Sequence, residues 1–98
     1  MYIDNLGNKF TWDGNKEYIN QGKHNISFKE ASTVFLDEDA VIFSDDAHSI
    51  DEERFIIVGF SDKERMLFVC HCYRDDGDTI RIISARKATR LEHKLYHN

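Results

Sequence analysis

The stretch Ile80-Arg81-Ile82-Ile83-Ser84-Ala85-Arg86-Lys87-Ala88-Thr89 constrains the fold more than any other part of the chain. Its apolar, β-branched half reads as a buried strand, and it passes without glycine or proline into a basic helix. Simple alternation along that strand sets Arg81 and Arg86 on opposite faces. Guanidinium groups held rigid among apolar neighbours suit recognition of phosphate or carboxylate.

The chain has 98 residues, enough for a single core and too few for two, so residues 1–98 are read as one domain. Seven phenylalanines and 41% hydrophobic content suit a folded protein, whereas disorder would need fewer apolar and aromatic residues. The N-terminal Met1–Gly7 segment lacks a signal peptide's apolar stretch, and no run is long enough to cross a bilayer. Cys70 and Cys72 lie two apart on one strand, a poor arrangement for a mutual disulfide. Reduced thiols in a cytoplasm, with no membrane partner, are the expectation.

The net charge of −5 conceals an asymmetry. Residues 37–64 carry ten acids against Arg54 and Lys63, whereas residues 79–98 carry five Lys or Arg against Glu92. One side of the molecule should be acidic and the other basic, and the basic side suits an anionic ligand.

Two short strands, Tyr2–Asp4 and Lys9–Trp12, come first. Asp13 caps a helix that runs to His24, with Asn25 in the left-handed position after it. Ser27-Phe28-Lys29-Glu30 is a capping box opening a second helix striped by Phe28, Ala31 and Phe35. Strands follow over 40–44, 54–60, 66–74 and 79–86, the last three joined by hairpins. A final helix over 87–96 turns Ala88, Leu91 and Leu95 to one face. The order β-β-α-α-β-β-β-β-α indicates an α+β fold with an antiparallel β-sheet, two helices in the N-terminal half and one at the C-terminus.

Hairpin pairing of Arg74 with Thr79, and of Phe60 with Met66, gathers Arg54, Arg74 and Arg81 at one end of one sheet face. It sends His71, Ile82, Ser84 and Arg86 to the other face. Two readings of the three arginines stay open. Either RNA phosphate joins them, or Glu53 and the acidic loop neutralise them as structural ion pairs. Lys16, Asn20, Lys23 and His24 form a polar stripe on the first helix. Lys23 and His24 either complement the helix dipole or border the same anion site. His24 and His71 are the candidate proton carriers. In Cys70-His71-Cys72 alternation separates the histidine from both thiols, and no second ligand pair exists, so no metal or other cofactor is expected.

Taken in order, these residues resemble the BrnT family, the toxin half of the BrnT–BrnA type II toxin–antitoxin pair. The resemblance runs from Phe10-Thr11-Trp12-Asp13 through Lys16, Asn20, Lys23-His24 and Ile26–Ala31. It continues through Val34-Phe35, Asp37, Glu53-Arg54-Phe55, Gly59, Ser61, Val69, His71 and Arg74. It closes on Ile80–Thr89, Glu92 and Tyr96. It implies a compact RelE-like fold and a cytoplasmic endoribonuclease (a hydrolase that inhibits translation) cutting RNA without metal. It also implies neutralisation by a BrnA-like antitoxin in a two-plus-two complex, with operator DNA bound only through the antitoxin. On that basis Arg54, His71, Arg81, Lys23 and His24 are the expected catalytic residues, and Arg74, Arg86, Lys16 and Lys87 the expected substrate-binding ones. A non-catalytic anion- or partner-binding module and a gyrase-targeting toxin of RelE fold are the alternatives.

Overall fold

A computed structural model describes residues 1–96; His97 and Asn98 lie outside the described residues. Local side-chain chemistry starts each helix. Asp13 accepts the backbone N–H groups of Asn15 and Lys16 at 2.8 and 3.1 Å and opens α1 (Gly14–His24). Asn25, at φ 56°, closes it by donating its N–H to Gln21 O. Ser27 Oγ accepts the Glu30 N–H at 3.0 Å and opens α2 (Phe28–Thr33), which tightens into a 3-10 turn over Val34–Leu36.

The expected return bond of the Ser27 capping box is not made. Glu30 turns inward to Ser61 and Arg65 instead, and the Glu17 carboxylate takes the Phe28 N–H at 2.8 Å. The reciprocal box stands at α3 (Arg90–Tyr96). There the Glu92 N–H reaches Thr89 Oγ1 at 3.2 Å and the Thr89 N–H reaches Glu92 Oε1 at 2.8 Å. This helix starts after the expected Lys87, and its orientation changes with its start. Leu91 and Leu95 face outward, 73% and 41% exposed, while Ala88 and Tyr96 pack inward.

Six strands form one sheet: β1 (Tyr2–Ile3), β2 (Lys9–Thr11), β3 (Val41–Ser44), β4 (Phe55–Phe60), β5 (Met66–Arg74) and β6 (Thr79–Lys87). Their spatial order is β1-β2-β6-β5-β4-β3. The α+β class and the element order are as expected, and the sheet is antiparallel except where β2 runs parallel to β6. That pair brings α1, which follows β2, alongside the second half of β6.

Both hairpin registers agree with expectation: Phe60 faces Met66, Arg74 faces Thr79 and Cys72 faces Arg81. A bulge then intervenes. Ile82 pairs with His71 and Ser84 with Cys70, which leaves Ile83 as an extra residue in β6. Beyond it every side chain changes face. Ser84 and Arg86 therefore join Arg81 on the face of Cys70 and Cys72, while Ala85 and Lys87 join Ile82 on the other. The expected opposition of Arg81 and Arg86 is corrected by this one residue.

The α2-covered face holds the main core, built on Phe10, Phe28, Val34, Ile57, Leu67, Val69, Ile82 and Ala85. A smaller core of Ile56, Val58, Met66 and Cys70 lies on the other face, under Phe68, Ile83, Ala88 and Tyr96. At Gly59 a Cβ would stand 2.8 Å from Ala40 Cβ and 3.1 Å from Val34 Cγ1, so only glycine lets β4 pass under the 3-10 turn. Among the described residues no helix is long and apolar enough to cross a membrane.

Candidate nucleic-acid interface

β6 loses β2 as a neighbour after Arg81, and α1 takes over its open edge. Asn20 makes the join. Its amide Nδ2 donates to Ala85 O at 2.9 Å and to Ile26 O at 3.2 Å, and its Oδ1 accepts the Ala85 N–H at 3.2 Å. Asn20 is thus a buried structural clamp within the polar stripe expected of α1. Its neighbours in that stripe stay at the surface. Lys16, Lys23 and His24 line a shallow groove of about 310 Å³ whose floor is Ile83 and Ser84. Among the described residues no carboxylate lines it.

Lys16 and Lys23 are seven residues apart, two helical turns or roughly 10 Å along the axis. The row can therefore meet more than one phosphate of a strand. Arg81 extends it toward the N-terminal end of α1, where its charge helps to hold the Asp13 carboxyl low, after the Lys16 and Asn15 N–H bonds. Among the described residues Lys16, Lys23, His24 and Arg81 have no ion-pair partner.

At the far end of the same face, Arg54, Arg74 and Arg81 flank Cys72, and they differ in state. Arg74 Nη1 lies 2.7 Å from Glu52 Oε2 and donates to Cys72 Sγ at 2.9 Å. That bond from Arg74 holds the Glu52 carboxyl below its ordinary range. The acidic loop does neutralise one arginine, then, through Glu52 and not through Glu53. Among the described residues Arg54 has no ion pair, and its Nε is buried without a hydrogen-bond partner. Cys70 and Cys72 are free thiols. Burial, and after it the charge of Asp45, pushes Cys70 up to about 11.

Arg86 lies on this face with its guanidinium committed. It forms two bonds to Glu92, at 2.7 and 2.9 Å, and stacks 4.1 Å above the Phe68 ring. The bonds from Arg86 hold Glu92 below the ordinary carboxylate range. Lys87, opposite Leu67, departs to the other face.

His71 is the clearest departure from expectation. It is 0% exposed, and its ring nitrogens lie 3.5 Å from Val69 O and 3.3 Å from Tyr73 Oη. Phe35 meets it edge-on at 4.9 Å. Burial lowers its pKa to about 4. A neutral, enclosed imidazole on the core face cannot exchange protons with a ligand among the arginines. The groove therefore gathers Lys16, Lys23 and His24, with Arg81 and Arg54 beyond; Arg74 and Arg86 stand on that face already paired, and His71 and Lys87 stand apart. Reading sequence residues as ligands missed the structural role of Asn20 and the partner role of Glu52. The Thr89-x-x-Glu92 pattern was the available signal for Glu92.

The family described as "Ribonuclease toxin, BrnT, of type II toxin-antitoxin system" matches residues 12–92. The crystal structure of the Brucella abortus ribonuclease toxin BrnT, determined at 1.1 Å, is similar with a TM-score of 0.65. That likeness covers 85% of this chain and 99% of the other at 21% identity, and it shows the fold. No curated protein matches the chain.

Proposed function

Because this chain belongs to the BrnT family of ribonuclease toxins of type II toxin–antitoxin systems, we propose that the groove between α1 and β6 is where it binds and cuts RNA. The observation that carries this reading is a groove lined by Lys16, Lys23 and His24 with no carboxylate in it, leading to the unpaired Arg81. Consecutive phosphates lie along α1, with the scissile one over Ile83 and Ser84. His24 reaches it from one side and Arg81 from the other.

The chemistry proposed is metal-independent transesterification. The 2′-oxygen forms a bond to the adjacent phosphorus as the bond to the 5′-oxygen breaks. His24 accepts the 2′-OH proton, and Lys23, beside it, protonates the departing 5′-oxygen. Arg81 and Lys16 stabilise the negative charge that builds on the phosphorane, and Arg54 holds a flanking phosphate. Arg74 joins only when Glu52 releases it. Arg86 supports the site by fixing α3 and the Phe68 surface.

The product would be a 2′,3′-cyclic phosphate, and the consequence an arrest of translation. The partner proposed is a BrnA-like antitoxin in a two-plus-two complex, which binds operator DNA on behalf of the pair. The test is incubation of single-stranded RNA with purified protein in excess EDTA. The proposal requires time-dependent cleavage leaving cyclic phosphate ends; cleavage that stops in EDTA would refute metal independence.

A further inference from the structure

A second cavity, of about 500 Å³, shares no lining residue with the basic groove. It lies between the β1–β2 turn, α2 with its 3-10 extension, and the turn from β4 into β5. Leu36 and Phe60, each 40% exposed, and the Tyr2 ring supply its apolar lining. Asp4, Asp37 and Asp62 are its charged residues, and no Lys or Arg lines it. A cavity of this size with an apolar lining and a few fixed polar groups is suited to holding an anchor side chain. Its charge is opposite to that of the groove and would repel RNA.

The carboxylates are partly fixed in place. Asp37 accepts the N–H of Phe60 at 2.8 Å, the N–H of Asp39 at 3.0 Å and the Tyr96 hydroxyl at 3.2 Å. Asp4 is held in its turn by Leu6 and Asn8. Neither ion-pairs with Lys or Arg among the described residues, and their charge stays available to an incoming cation. We propose that this cavity is a docking site for the antitoxin, and that it takes a segment carrying a Lys or Arg beside an apolar side chain. Charge complementarity selects that occupant. A protein that binds DNA carries Lys and Arg to neutralise phosphates, this chain carries −5, and the carboxylate-lined cavity presents part of that charge around an apolar lining. The inference rests on the toxin–antitoxin reading above. It adds that the antitoxin grips a surface separate from the RNA groove.

The test uses the double variant Leu36→Arg, Asp62→Lys of the full chain and the antitoxin made from the reading frame adjacent to the toxin's own. Titration calorimetry should show a loss of about tenfold or more in affinity, with RNA cleavage by the free variant unchanged. Hydrogen exchange on the wild-type complex should show protection of the Leu36, Phe60 and Asp62 amides, which keeps the test valid should the variant fold poorly. Wild-type affinity in a folded variant, or unprotected amides in the complex, would overturn the docking site. A wild-type chain that cleaves RNA and yet binds no such antitoxin would overturn the toxin–antitoxin reading and this inference with it.

Discussion

The side chain of Asn20 bonds both backbone groups of Ala85, donating to its carbonyl at 2.9 Å and accepting its N–H at 3.2 Å. A neighbouring strand would offer β6 the same pair of bonds. β2 ends before this point, so a buried amide on α1 completes the strand edge and sets the spacing between the helix's cations and the Ser84 floor.

Asn20→Ala leaves the Ala85 N–H and C=O, and the Ile26 carbonyl, without this partner. Each buried orphan costs about 1–3 kcal/mol. Urea unfolding should show a loss of about 3 kcal/mol, and RNA cleavage should fall even where the protein remains folded. Asn20→Asp, which turns an acceptor oxygen toward the Ala85 and Ile26 carbonyls, should be no more stable than alanine.

Arg81 and Arg86 lie on one face of β6 and should behave differently. Arg81→Ala removes a guanidinium with no bonded partner, so stability should change by less than about 0.5 kcal/mol. RNA cleavage should fall roughly 10²–10³-fold, as for loss of one charge-stabilising donor. Arg86→Ala breaks a half-exposed ion pair with Glu92 and a stack on Phe68, and should cost about 1 kcal/mol of stability. Its effect on cleavage should be the smaller of the two. Parallel unfolding and cleavage assays separate them.

The salt dependence of RNA binding counts the cations engaged. Single strands give a slope of log K against log salt of about −0.7 per phosphate neutralised. Lys16, Lys23, Arg54 and Arg81 should together give about −3, from roughly 0.7 times four. Glu52→Gln releases Arg74 from its 2.7 Å partner, and should steepen the slope by about 0.7. Fluorescence anisotropy with a labelled oligonucleotide measures both.

His71 supplies a pH dependence. Burial takes its pKa from 6.5 to about 4, so the unfolded chain binds more protons between those values. Stability must then be complete above about pH 6.5 and fall as the pH drops toward 4. The shift corresponds to about 3 kcal/mol at most. In His71→Phe this part of the acid loss should vanish, so its urea midpoint should vary less than wild type across that window. An unchanged pH profile would place the titrating group elsewhere.

The parts of this structure legible in the sequence are those fixed by near neighbours. Asp13, Asn25 and Ser27 act on backbone groups within four residues, and the turns after Phe60 and Arg74 set both hairpin registers from a few residues. What escaped depends on distant partners. Parallel pairing of β2 with β6 joins residues some seventy positions apart. The bulge at Ile83 has no glycine to mark it, and yet it moves Ser84 and Arg86 across the sheet. His71 and Arg81 both look available to a reader of residue types. Only the assembled sheet places one under Phe35 and leaves the other unpaired beside α1. Glu52 and Glu53 are indistinguishable in the sequence, and loop geometry assigns Arg74 to the first.

The most direct test of the account is the cleavage rate of single-stranded RNA, in EDTA, by wild type, Arg81→Ala and His24→Ala, each first shown to be folded by its unfolding curve. The account predicts cyclic phosphate ends from the wild type and a roughly hundredfold or greater loss in Arg81→Ala, with a comparable loss in His24→Ala. Wild-type rates in both folded variants would contradict it, because they would place the reaction outside the groove between α1 and β6.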